Sequence, residues 1–162
     1  MRKINITVFI AGKEDYPGCV DILEAFPEFR VIARPAGLYD PDAWLAISQS
    51  DIVLLDETVL ERDGVEIVHR ICDSYPLLKL LLILEQNDEE RVLEALSLGI
   101  AGVMERSSLL SSLRRAIPVL YSGEAWVSRG MVHSLRKYLN TREHEGFLAG
   151  TALTHAGRGK LN

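Results

Sequence analysis

Between Asp51 and Gly64 the chain reads DIVLLDETVLERDG, and this stretch constrains the fold more than any other. Four consecutive apolar residues, Ile52, Val53, Leu54 and Leu55, run into an acid, Asp56. A half-exposed strand alternates apolar and polar side chains. A continuous apolar run of strand length fits a strand buried on both faces, as in a parallel sheet covered by helices. Asp56 then stands at the carboxyl end of that strand, and open α/β sheets carry their functional groups just beyond such ends. The run at 78–84 repeats the signal and predicts a second central strand.

The remaining segments alternate in type. Residues 4–11 are rich in Ile, Val and Phe and predict the first strand. A helix is predicted over 17–26, with Val20, Leu23 and Phe26 on one side and Pro17 in the first turn, where its missing N–H is harmless. A strand at 29–33 and a short helix at 41–48 follow, then the third strand at 51–55. The helix predicted over 63–74 carries Val65, Val68, Ile71 and Cys72 on one face and stops before Pro76. After the 78–84 strand comes a helix over 88–98, with Val92, Leu93 and Leu96 inward and Gly99 as its stop. A strand at 101–104 and a helix at 109–121, ended by Gly123, complete the series. Five strands alternating with five helices imply right-handed crossovers and a doubly wound parallel α/β sheet. Residues 128–139 form a further helix in this reading. From about Thr141, the glycines at 146, 150, 157 and 159 predict weak order.

Composition narrows the function classes. A chain of 162 residues suits one domain with a short appendage. A net charge of −5 leaves no basic footprint for nucleic acid. The greasiest stretch, 77–84, is interrupted by Lys79 and too short to cross a membrane. The opening MRKINITVFIAGK places basic residues before an apolar run, but the run is brief and no small-residue cleavage site follows. Cys19 and Cys72 lack metal-ligand spacing and read as reduced thiols of a cytoplasmic protein. His69, His133, His144 and His155 share no spacing and read as non-catalytic.

Three segments, DIVLLDETVLERDGVEIVHRI (51–71), NDEERVLEALSLGIAGVMERSSLLSSLRRAI (87–117) and YSGEAWVSRGMV (121–132), carry a family resemblance. Together they resemble the receiver domain of bacterial two-component response regulators, in the subgroup with a LuxR-type helix-turn-helix output. The resemblance covers residues 4–139 and implies a flavodoxin-like (βα)5 fold. It implies a receiver domain over 1–124, a linker helix over 125–140, and a flexible tail over 141–162. ALTH (152–155) in that tail resembles the opening of an output domain.

In that family an aspartate accepts a phosphoryl group beside an acid pair that holds Mg²⁺, with a Ser or Thr, a Lys and an aromatic residue around it. Asp56 matches the acceptor. Gly12 and Lys13 stand where the acid pair belongs. Counting without gaps from Asp56 puts Leu84 at the Ser/Thr position, Arg106 at the Lys position and Val103 at the aromatic position; a shift of one puts Glu85 in place of Leu84. A fixed cation, Lys13 or Arg106, is expected to stand near Asp56 where relatives hold the metal. The resemblance with these departures implies an atypical, non-enzymatic receiver with little or no Mg²⁺-dependent phosphorylation, no resident cofactor, and a role in dimerisation or docking. Its implied partners are a second copy of itself and a sensor histidine kinase, with DNA reached only through an output domain and no membrane contact. Arg114 and Arg115, with Glu89, Glu90 and Glu94 on the preceding helix, offer a charge-complementary face for a homodimer. The alternative is a working phospho-acceptor in which Glu14 or Asp15 joins Asp56 in holding Mg²⁺ and a histidine kinase phosphorylates Asp56. A flavin site is disfavoured, because the loop Gly12-Lys13-Glu14-Asp15-Tyr16 lacks a Ser/Thr/Gly-rich phosphate cradle.

Overall fold

The two apolar runs form the middle of a parallel sheet. The computed structural model describes residues 2–10 and 18–149, with the backbone alone described over 142–149. Its strands are β1 (Ile4–Phe9), β2 (Phe29–Ala33), β3 (Ile52–Asp56), β4 (Lys79–Leu84) and β5 (Gly102–Glu105). They lie in the order β2-β1-β3-β4-β5, every neighbouring pair parallel. All five residues of β3 are buried, as are Leu80, Leu81, Leu82, Ile83 and Leu84 of β4. This is the expected consequence of helices on both faces, and the doubly wound α/β architecture stands as read from the sequence.

Seven α-helices occur among the described residues: α1 (Cys19–Glu24), α2 (Ala43–Ser48), α3 (Glu57–Asp63), α4 (Val65–Ser74), α5 (Glu89–Ser97), α6 (Leu109–Tyr121) and α7 (Arg129–Ala149). A short 3₁₀ turn, Arg106–Ser108, leads into α6. One face of the sheet packs Ile6, Val8, Ile52, Leu54, Leu81 and Ile83 against Leu23 of α1 and Leu113, Ile117 and Leu120 of α6. Burial of apolar area on this scale, at about 25 cal/mol per Å², is what holds the layers together. Thr7 is the one fully buried hydroxyl of β1; its Oγ1 lies 2.7 Å from Ser50 Oγ, which in turn donates to the Ala46 carbonyl at 2.7 Å.

The structure corrects the sequence reading at several places. The segment between β3 and Gly64, for which the sequence pattern predicted no element, is a helix, α3. Only Val59 of it is buried, so it carries almost no apolar periodicity to read. Gly64, at φ 93°, separates α3 from α4; a positive φ of this kind favours glycine. β3 includes Asp56, which extends the strand one residue past the predicted end. α1 begins after Gly18, also at positive φ (95°), and the predicted start at Pro17 lies outside the described residues. α7 continues to Ala149, beyond the helix end predicted at residue 139. A single interior glycine, Gly146, costs only about 1 kcal/mol relative to Ala and does not by itself stop a helix.

The chain divides into two compact units, Met1–Val127 and Ser128–Asn162. Trp126 belongs to the first: its backbone N–H donates to Ala101 O at 3.2 Å and its carbonyl accepts from Val103 N at 2.8 Å, extending the edge of the sheet beyond β5. In the second unit Ser128 caps α7, its Oγ accepting from Met131 N at 3.3 Å.

Candidate functional site at the carboxyl rim of the sheet

Asp56 is the last residue of β3, opposite Ile83 in the β3–β4 ladder, and is only 3% exposed. Its extended backbone (φ −76°, ψ 142°) makes it the N-cap of α3, and its Oδ1 accepts the Thr58 backbone N–H at 2.9 Å. A carboxylate at a helix N-cap satisfies an otherwise orphaned donor and sits at the positive end of the helix dipole. Asp56 is thus both a cap and a rim carboxylate.

The neighbouring strand ends complete the rim. Leu84 closes β4, is 2% exposed, and lies opposite Glu105 in the β4–β5 ladder. Glu85, one residue on, is exposed. The buried position at the end of β4 is therefore filled by an aliphatic side chain. Arg106 follows β5 on the 3₁₀ turn, and its Nη1 reaches Glu85 Oε2 at 3.2 Å. Val103, opposite Leu82, is buried. Asp56, Leu84 and Arg106 thus share the carboxyl edge of three adjacent strands. Gly12, Lys13, Glu14 and Asp15 lie outside the described residues.

Around this rim stand charged residues that sequence reasoning did not single out. Glu57, directly after Asp56, accepts the Glu85 backbone N–H at Oε1 (2.9 Å) and pairs through Oε2 with Arg91 Nη1 of α5. Arg91 Nη2 also pairs with Glu61 Oε1 at 3.0 Å. Glu57 and Glu61 are i,i+4 on α3, so one guanidinium can bridge both. That spacing is present in the sequence, but it becomes a signal only once α3 is known to be helical. Beneath this bridge lies a cleft of about 210 Å³, lined on its apolar side by Leu60, Val65, Leu82, Leu84, Ala95 and Leu98.

On the other flank, Asp63 at the end of α3 ties down the β2–α2 connection. Its Oδ2 accepts from Leu38 N at 2.7 Å, its carbonyl accepts from Tyr39 OH at 3.2 Å, and Arg62 Nε donates to its Oδ1 at 2.9 Å. The Arg62 hydrogen bond, helped by the Leu38 N–H and opposed by burial, holds the Asp63 carboxyl below the usual carboxylate range. The two thiols are free: burial pushes buried Cys19 up to about 11, with Arg34 pulling slightly the other way, and burial also raises half-buried Cys72.

Among the described residues no three His, Cys, Asp or Glu side chains converge as a metal cage. None of the helices described is long and apolar enough to cross a membrane.

No family model matches the chain. It is 26% identical over 148 residues to the transcriptional regulatory protein DegU of Brevibacillus brevis, covering 89% of this chain and 63% of that protein. It is 23% identical over 134 residues to the DNA-binding transcriptional activator DevR/DosR of Mycobacterium tuberculosis, covering 82% of this chain and 62% of that one. The chain therefore spans a little over three fifths of the curated relatives it matches. Among solved structures, a LuxR-family two-component response regulator from Aurantimonas sp. SI85-9A1 superposes with a TM-score of 0.72 at 20% identity, over 84% of this chain and 97% of that one. The sheet order, the buried aspartate at the end of its third strand and these similarities agree: over most of its length the chain has the receiver-domain fold and is similar to the receiver portions of LuxR-type response regulators.

Proposed function

We propose that this receiver works without Mg²⁺-dependent phosphorylation, as a dimerising or docking module for a transcription-regulating output domain. The observation that carries the reading is Leu84. A phosphoryl group on Asp56 would carry two negative charges into a pocket whose β4 side is a buried aliphatic chain with no hydrogen bond to offer. Arg106 could face such a group with a planar fork, a geometry unlike that of a compact ammonium. Magnesium needs a near-octahedral set of oxygens. Of the described acids nearest Asp56, Glu57 is already engaged by Glu85 N–H and Arg91. The described donor set does not fit the ion, and Gly12 and Lys13 of the sequence add no carboxylate.

The test is incubation with acetyl phosphate and Mg²⁺ followed by intact-mass measurement. The unmodified mass is the expected result. A phosphoryl adduct that disappears in Asp56→Asn would overturn the reading in favour of a working acceptor served by a histidine kinase, with Glu14 or Asp15 as metal ligands. Pairing of two copies, for which Leu110 and Tyr121 on α6 offer exposed apolar contacts, is measured by sedimentation equilibrium; a mass that stays monomeric at high concentration would remove dimerisation from the proposal.

A further inference from the structure

We propose that Glu57 is a positioning residue: with Arg91 it fixes the β4–α5 connection and the first turn of α5 by a charge built permanently into the chain. The proposal rests on the phosphorylation-independent reading and deepens it, by naming what sets the rim when no phosphoryl group does.

Three observations carry it. First, one carboxylate makes both ends of the link. Glu57 Oε1 takes the backbone N–H of Glu85, the first residue after β4, and Oε2 takes the guanidinium of Arg91, in the first turn of α5. Second, Glu57 is the first residue of α3, adjoining Asp56, and its side chain is only 14% exposed, so the link is anchored at the rim and partly shielded. Charge-assisted hydrogen bonds of this kind are roughly twice as strong as neutral ones. Third, the bridge crosses the mouth of a cleft of about 210 Å³ between α3–α4 and α5, adding a polar link to the apolar burial of Val92 and Ala95 on α5. The second carboxylate, Glu61, holds Arg91 from the next turn of α3 and keeps the guanidinium across the cleft mouth.

The link is tested by amide hydrogen exchange on the full chain, read residue by residue by NMR. In Glu57→Ala the Glu85 amide is expected to exchange about tenfold faster or more, as befits loss of a charged acceptor. Amides of β1 and β3 should keep their rates. Glu57→Gln retains an acceptor but not the charge, and Glu57→Asp retains the charge on a shorter stem. Raising salt from about 0.05 M to about 1 M shortens the Debye length to about 3 Å; it should speed Glu85 exchange in the unaltered protein and leave Glu57→Gln/Arg91→Gln unaffected. A merely structural role for Glu57 would show no such charge-specific salt response. Unchanged Glu85 exchange in Glu57→Ala, or salt dependence that persists in the double variant, would overturn the proposal. If Glu57→Ala does not fold, the salt series on the unaltered protein decides alone. A phosphoryl adduct on Asp56 with an intact salt response would defeat the phosphorylation-independent reading and leave the link standing. Absence of both adduct and salt response would defeat the link alone.

Discussion

Asp63 offers the sharpest energetic test of how the rim is built. Its Oδ2 receives the N–H of Leu38, a residue only 1% exposed, at 2.7 Å. Replacing Asp63 with Ala leaves that donor without its acceptor. Loss of a hydrogen bond to a charged group costs about 1.5–3 kcal/mol. The Arg62 pair adds little, because the Arg62 side chain is half exposed and exposed pairs are worth about 0–1 kcal/mol. The expected loss for Asp63→Ala is therefore about 2–3 kcal/mol. Asp63→Asn keeps an acceptor for Leu38 and loses the charge, so its loss should be about 1 kcal/mol. Urea unfolding at pH 7 measures both, with the midpoint falling and the slope unchanged. The pH dependence follows from the direction of the shift. The folded-state carboxyl lies below its usual range, so its stabilisation is fully present above the unfolded value of about 3.9. It is lost as pH falls through the lower, folded value. The gap between the unaltered protein and Asp63→Asn should therefore stay constant down to about pH 5 and close on further acidification. An Asp63→Ala loss under about 0.5 kcal/mol, or a gap indifferent to pH, would refute the argument.

Further outcomes follow from other contacts. A Cβ on Gly102 would meet Leu120 Cδ2 at 3.0 Å, Leu81 Cδ1 at 3.1 Å and Trp126 Cβ at 3.1 Å. Gly102→Ala should then destabilise by about 1–3 kcal/mol through overpacking at the sheet edge, and unchanged thermal unfolding would count against it. The Arg114 guanidinium lies 4.2 Å from the centre of the Phe26 ring. Arg114→Ala should cost about 0.5–1 kcal/mol in chemical unfolding with Arg114→Lys in between, and an equal loss for both variants would discount the ring contact. With Cys19 buried and pushed up to about 11 while Cys72 is half buried, alkylation of the native protein near pH 8 should label Cys72 first and Cys19 only on unfolding. Peptide mass mapping reads the order, and early Cys19 labelling would contradict the burial.

The sheet was legible because its central strands leave no other option. Ile52–Asp56 and Lys79–Leu84 are apolar almost throughout, and only burial on both faces accommodates that. α6 was legible to the residue, since Leu109, Leu113, Ala116, Ile117 and Leu120 repeat at helical spacing and are all buried. α3 was not. Besides buried Val59, its contacts include the Asp56 cap and the pairing of Glu57 and Glu61 with Arg91, thirty or more positions later. Interactions of that range leave no periodic trace in the local sequence. The helix at Arg129–Ala149 was cut short in the reading because glycines weigh heavily in a propensity argument, whereas each costs only about 1 kcal/mol within a helix.

The strand ends around Asp56 were legible in the sequence, and the side chains they meet were not. Counting strand lengths placed Leu84 and Arg106 at the ends of the strands flanking Asp56, and the structure puts both on that edge. What a residue type cannot tell is which charge it meets. Arg106 reaches toward Glu85, while the carboxylate that accepts the Glu85 backbone N–H is Glu57, which no motif or periodicity singles out. A rim assembled this way has its anion on the strand-to-helix junction itself, one residue past Asp56, and its counter-cation on α5. Glu57 and Arg91 are opposite charges in direct contact. They respond to ionic strength and to whatever competes for Arg91.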